Sequence, residues 1–271
     1  MRPLRIALMV GLLASTPALL LSCASTPARS APPERRLVWS DEFEGPKGAA
    51  PDPAKWTMQT GAGGWGNEEL QTYTADAVAL DGAGSLTIRA VIDRTGATPV
   101  YTSGRLTSQN LSSFTHGRLE ARIRLPAEQG LLPAFWLLGD SIAERGWPRA
   151  GEIDVVEVPH SPVVSEHHVH GPAADTGATR ASAGSSFTHA SALSSGFHIY
   201  VVDRSPERIE ISVDGQTVLL VTPDDFDGEW VFDEPFHVLF SLAIGGVWPG
   251  GPDESTPTDS VMVIDWVRLY E

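Results

Sequence analysis

Cysteine is nearly missing. The 271-residue chain has one, Cys23, which excludes internal disulfides and any multi-cysteine zinc or iron–sulfur site. Positive charge is scarce as well. Nineteen Lys and Arg stand against 34 Asp and Glu, a formal charge of −15, so no broad basic surface is available for nucleic acid or an anionic membrane face. A neutral or cationic partner fits better. No apolar run is long and uninterrupted enough for a permanent membrane-spanning helix, long helical periodicity is absent after Leu37, and no internal repeat is visible. What the chain does have is length and a 42% apolar content, enough for one large core. Sandwiches and barrels of roughly 200–250 residues commonly fold as a single domain.

The N-terminal stretch reads as an export signal. Arg2 and Arg5 precede an apolar run over residues 6–21, and no acid occurs before Glu34. Leu20-Leu21-Ser22-Cys23 is similar to the lipobox of bacterial lipoproteins, although Leu at the second position is less typical of that box. Residues 1–22 are therefore expected to be removed and Cys23 to carry lipid, with a plain secretory signal as the alternative. Either way, the protein is expected outside a bacterial cell, touching a membrane only through that anchor. Residues 23–36, rich in Ala, Ser, Thr, Pro and Arg, read as a flexible tether. Residues 37–271 form the remaining domain.

In that domain, period-two patterns dominate. Residues 85–92 place Leu86, Ile88, Ala90 and Ile92 on one face, and residues 116–125 alternate Leu119, Ala121, Ile123 and Leu125 with charged neighbours. Further strands are expected at 197–203, 209–213, 217–221, 236–244 and 261–270, with a turn at Asp214-Gly215. Asp52-Pro53 is one of the few helix-start signals, and a short one. Residues 171–196, low in large apolar side chains, read as a long surface loop. Many short strands separated by Gly and Pro predict an all-β sandwich of two antiparallel sheets.

The most informative segment is Gly151-Glu152-Ile153-Asp154-Val155-Val156-Glu157-Val158. In a strand, Glu152 and Asp154 share a face, whereas Glu157, five positions from Glu152, falls on the other. One extra residue, a β-bulge near Val155-Val156, restores Glu157 to the face of the other two acids. Crowding three carboxylates is costly, because like charges raise one another's pKa. A retaining glycosidase needs such a pair: one ionised carboxylate as nucleophile and one protonated carboxyl as acid. An exposed polar strand face is the simpler alternative. The run His167-His168-Val169-His170 puts His168 and His170 on one strand face. No third acid or Cys ligand stands near it in sequence, so zinc is not expected.

Glu152-Ile153-Asp154-Val155-Val156-Glu157 resembles the E-x-D-x-x-E signature of glycoside hydrolase family 16 in its laminarinase-like, β-1,3-glucanase form. The resemblance runs from Trp39-Ser40-Asp41-Glu42-Phe43 to Asp265-Trp266-Val267-Arg268-Leu269-Tyr270. Between them lie Trp65-Gly66-Asn67-Glu68-Glu69-Leu70-Gln71, Gly117-Arg118-Leu119-Glu120-Ala121-Arg122, Pro133-Ala134-Phe135-Trp136 and Gly245-Gly246-Val247-Trp248-Pro249-Gly250. It implies a concanavalin-like β-jelly-roll with an open cleft and a retaining endo-glycosidase acting on β-1,3- or mixed β-1,3/1,4-glucan. By matching position, Glu152 is implied as nucleophile, Glu157 as acid/base, and Asp154 as the residue that tunes both. His170 is similar to a family histidine near the acid/base. Trp136, Trp147 and Trp248 lie in segments similar to cleft-forming ones, and Asn67 and Arg105 resemble residues that bind sugar hydroxyls. The chain departs from common family forms at Leu132, Ser241 and Val247. No cofactor is implied for catalysis. A structural calcium is, with Asp265 and Glu42 as expected ligands. The expected partner is a polysaccharide and the expected state a monomer. A non-catalytic lectin and a transglycosylase on the same sandwich are the competing readings.

Overall fold

The computed structural model describes residues 35–174 and 179–271. The expected signal, Cys23 and nearly all of the expected tether lie outside the described residues. Within them, the strands form two sheets, one of ten strands and one of eight. Strand pairs are antiparallel throughout, except where Thr72–Tyr73 runs parallel to Val100–Ser103. This is the expected jelly-roll sandwich. No helix of the described residues is long and apolar enough to cross a membrane.

The ten-stranded sheet follows the alternation in the sequence. Leu86–Asp93 buries Leu86, Ile88, Ala90 and Ile92, and Gly117–Arg124 buries Leu119, Ala121 and Ile123. Their other faces stay wet. The eight-stranded sheet carries the site. Its order runs Arg180–Thr188, Val164–Pro172, Glu152–Glu157, Leu131–Gly139, Phe236–Ile244, Arg105–Thr107 and Thr57–Met58, with Ser113–Phe114 beside Phe236–Ile244. Phe236–Ile244 is buried along its whole length: Phe240, Leu242 and Ile244 face the core, while Ser241 and Ala243 lie at the floor of an open cleft. Phe135 stacks on Phe240 at 5.0 Å, and Ile153, Val155, Val156 and Val169 complete this wall of the core.

Two sequence expectations need correction. Residues 171–196 are not one long loop, because Arg180–Thr188 is a strand paired residue for residue with Val164–Pro172. It lies at the end of the sheet order, so only one side needs a partner strand. Ala181 and Ala183 suffice to meet the core, and the low hydrophobicity that disguised the strand is what an exposed edge requires. The Asp52-Pro53 signal yields only a turn. There, Lys55 and Trp56 amides both donate to the Asp52 carbonyl, and Asp52 Oδ1 accepts from the Ala54 amide at 2.9 Å.

Candidate active site

The acid strand Glu152–Glu157 lies between Leu131–Gly139 and Val164–Pro172. Its register against Leu131–Gly139 pairs Trp136 with Asp154 but Phe135 with Val156, so Val155 is an extra residue. Val155 and Val156 both sink into the core. The phase of the strand shifts by one, and Glu152, Asp154 and Glu157 all line the same cleft. The bulge is anchored from behind. Buried His167 donates from Nδ1 to the Val155 carbonyl at 2.7 Å, and its Nε2 accepts from Ser165 Oγ at 2.9 Å. His189 Nε2 contacts that same oxygen at 2.8 Å. Burial lowers the His167 pKa to about 4, so the ring is neutral and keeps one donor and one acceptor. Gly151 admits the strand, because its φ is +78° and a Cβ there would lie 2.8 Å from Phe236.

The cleft is about 830 Å³. Asp154 is only 2% exposed, while the tips of Glu152 and Glu157 reach the cleft. Burial, then the charge of Glu157, raises the pKa of Glu152 to about 7. Burial likewise raises Glu157, whose Oε2 lies 3.8 Å from His168 Nδ1. Asp154 is held well above the usual carboxylate range, by burial and then by the charge of Glu152, with which it shares a hydrogen bond. That bond lowers Glu152 as it raises Asp154, which favours a proton on Asp154 and a charge on Glu152. Trp147 Nε1 adds a donor to Glu152 Oε2 at 2.8 Å. With Glu157 also raised by burial, a charged Glu152 and a protonated Glu157 can face the cleft together, the arrangement that acid-assisted displacement needs.

All of the expected sugar-binding residues, Asn67, Arg105, Trp136, Trp147, His170 and Trp248, line this cleft. Trp147 is 50% exposed, an apolar plate beside Glu152. Trp248 meets the edge of His168 with ring centroids 5.7 Å apart, at the Glu157 end. Arg105 is held between Trp65 and Trp136, 4.9 and 4.7 Å from their ring centroids, and donates to Gln59 Oε1 at 2.6 Å. Ser241 Oγ accepts from Trp136 Nε1 at 3.1 Å, Leu132 is a buried part of the lining, and Val247 is exposed at 72%. His170 faces Asp154, with Nε2 3.3 Å from Oδ2, while His168 is the histidine beside Glu157.

The lining also includes Trp65, Glu69, His168, Arg180 and Ser182, which sequence reasoning did not assign to substrate. Trp65 and Glu69 flank Asn67 in a segment already singled out. Arg180 and Ser182 were hidden in the stretch read as a loop. Glu42 and Asp265 do not fit a calcium site as they stand. Arg268 grips both oxygens of Glu42 at 2.9 and 2.8 Å, and Arg122 bonds Asp265, so each carboxylate already has a fixed cationic partner.

The profile described as glycosyl hydrolases family 16 matches residues 58–268. A β-glucanase from Rhodothermus marinus is 38% identical over 254 residues, covering 88% of this chain and 86% of that protein. The laminarinase catalytic domain from Thermotoga maritima superposes with a TM-score of 0.79 at 35% identity, covering 88% of this chain and 98% of that one. For the endo-β-1,3-glucanase from Pyrococcus furiosus the TM-score is 0.77 at 38% identity, with 88% and 94% covered. With its sandwich, its bulged row of acids and a profile match over most of its length, the chain belongs to glycosyl hydrolase family 16 and is a glycosidase.

Proposed function

We propose that the protein is a retaining endo-β-1,3-glucanase that cuts laminarin-like or mixed β-1,3/1,4-glucans by double displacement. The observation that carries this reading is the bulge at Val155, which brings Glu157 onto the face of Glu152 and Asp154 inside an open cleft. In the first step, Glu152 attacks the anomeric carbon while Glu157 gives its proton to the departing glycosidic oxygen. Glu157, now a carboxylate, takes a proton from water, which attacks the same carbon and frees Glu152. Two inversions retain the configuration. Asp154 holds its proton toward Glu152 and keeps that nucleophile charged in a buried setting. Trp147 and Trp248 offer flat apolar faces to the C–H faces of successive sugars. The names of the relatives, β-glucanase and endo-β-1,3-glucanase, support a β-1,3-glucan as substrate.

The scheme needs no cofactor, since both catalytic groups are carboxyls of the chain. The same proposal includes a monomer exported with residues 1–22 removed and Cys23 as a lipid anchor. Incubation with laminarin, lichenan and agarose, with reducing ends and product anomers followed by NMR, tests the activity. New β-configured ends from laminarin are expected. Binding without release from any of the three would overturn the reading in favour of a lectin, and products longer than the starting oligosaccharide would make the protein a transglycosylase.

A further inference from the structure

The objection to zinc in the sequence was the missing third ligand. Strand pairing supplies it. Val164–Pro172 pairs with the acid strand so that His168 stands opposite Asp154 and His170 opposite Glu152. One ligand atom from each of Asp154, His168 and His170 lies within 4.8 Å of the other two. We propose that these three side chains form a binding site for a late first-row divalent cation of the Zn²⁺ class. Occupied, it shuts the cleft reversibly.

The geometry points this way at each ligand. Asp154 Oδ2 is buried and has no hydrogen-bond partner, so the 3.3 Å approach of His170 Nε2 is not a bond between them. Two donor atoms about 3.3 Å apart are what two corners of a tetrahedron present around a metal with ligand bonds of about 2.0–2.1 Å. His170 Nδ1 contacts Ser182 Oγ at 2.7 Å. A proton donated from Nδ1 to that hydroxyl fixes the ring and leaves the Nε2 lone pair toward Asp154, the outer-shell arrangement usual for a metal-ligating histidine. His168 lies parallel to His170, with an interplanar angle of 11° and centroids 5.6 Å apart. Its Cδ2 edge lies against Gly184, where a Cβ would come within 2.1 Å, so only glycine leaves room for the ring. That leaves Nδ1 on the side of Glu157, whose Oε2 is 3.8 Å away and is the acid that would have to move in to supply a fourth ligand.

Two imidazoles select against Ca²⁺ and Mg²⁺, which take oxygen ligands, and favour Zn²⁺, Cu²⁺ or Ni²⁺. A cation here occupies the space over Asp154 and draws in Glu157. Inhibition therefore rests on the roles proposed above for these acids, whereas binding does not. Calorimetric titration of ZnCl₂ into the full chain separates the two. One saturable site is expected, weakened roughly tenfold or more in His168→Phe and in His170→Phe, with no heat from MgCl₂ at equal concentration. Should a variant fail to fold, Co²⁺ added to the wild-type chain gives a second readout, the strong visible absorption of a near-tetrahedral ion, bleached by added Zn²⁺. No saturable Zn²⁺ binding, or equal binding by both folded variants, would overturn the site, as would Co²⁺ with only its weak octahedral spectrum. If Zn²⁺ binds but hydrolysis of laminarin was never present, the metal site stands and the catalytic reading fails.

Discussion

Carboxylates on the two sheets are treated in opposite ways. On and beside the ten-stranded sheet, four acids are met by a guanidinium: Glu42 by Arg268, Asp265 by Arg122, Asp259 by Arg89, and Glu120 by Arg118. Arg268 holds the Glu42 pKa below its usual value. On the eight-stranded sheet, Glu152, Asp154 and Glu157 lie side by side with no arginine in bonding contact among the described residues, and burial drives all three upward. An acidic residue alone says little about function. Buried acids left without a cation cost stability, and that cost marks where the chemistry lies.

Neutralising one acid in each region separates the two treatments of charge. Glu152→Gln and Glu157→Gln are each expected to lower kcat on laminarin by about 10⁴-fold. Glu152→Gln should at the same time stabilise the fold. Its carboxyl has a folded pKa near 7 against 4.5 unfolded, so the native state loses stability as pH rises through that window. Denaturant melts should show the variant more stable by up to about 3 kcal/mol at pH 8, with the gain vanishing toward pH 4.5. A variant that is less stable at pH 8 would deny that the triad is strained.

The anchor behind the bulge responds to pH with the opposite sign. His167 has a folded pKa of about 4 against 6.5 unfolded, so the unfolded chain binds more protons between those values. Stability should be full above pH 6.5 and fall by about 3 kcal/mol on acidification to pH 4. His167→Gln should weaken that dependence, and it should lower kcat because the bulge that aims Glu157 loses its support. An unchanged kcat in a folded variant would show that the bulge needs no anchor. Trp147→Ala should raise KM roughly tenfold, about 1.4 kcal/mol, and kcat should fall as well if the hydrogen bond to Glu152 matters in the transition state. Glu42→Gln, on the other sheet, should cost no more than about 1 kcal/mol and leave turnover unchanged.

Much of this contrast was legible in the sequence, and the limits have physical causes. The five-residue spacing of Glu152 and Glu157, with Val155 and Val156 between, calls for a bulge because two adjacent apolar residues cannot both face the core of a regular strand. Leu131–Gly139 showed no alternation, because apolar Leu132, Ala134, Trp136 and Leu138 line the cleft behind the core-facing Leu131, Phe135 and Leu137, and Pro133 further obscured it. Arg180–Thr188 was hidden because an edge strand of Ala, Ser and Gly has the composition of a loop. The arginine partners of Glu42 and Asp265 lie 226 and 143 positions away, and the contact of Asp154 with His168 and His170 depends on strand register. Local patterns carry none of these.

Azide rescue tests the division of labour between the two glutamates most directly. On an activated β-glucoside oligosaccharide, Glu152→Gly with azide should yield the α-glycosyl azide, because azide replaces the missing nucleophile in a single inversion. Glu157→Ala with azide should yield the β-glycosyl azide, because azide replaces water against the covalent intermediate. The reverse pattern of anomers would contradict the assignment of Glu152 as nucleophile and Glu157 as acid/base.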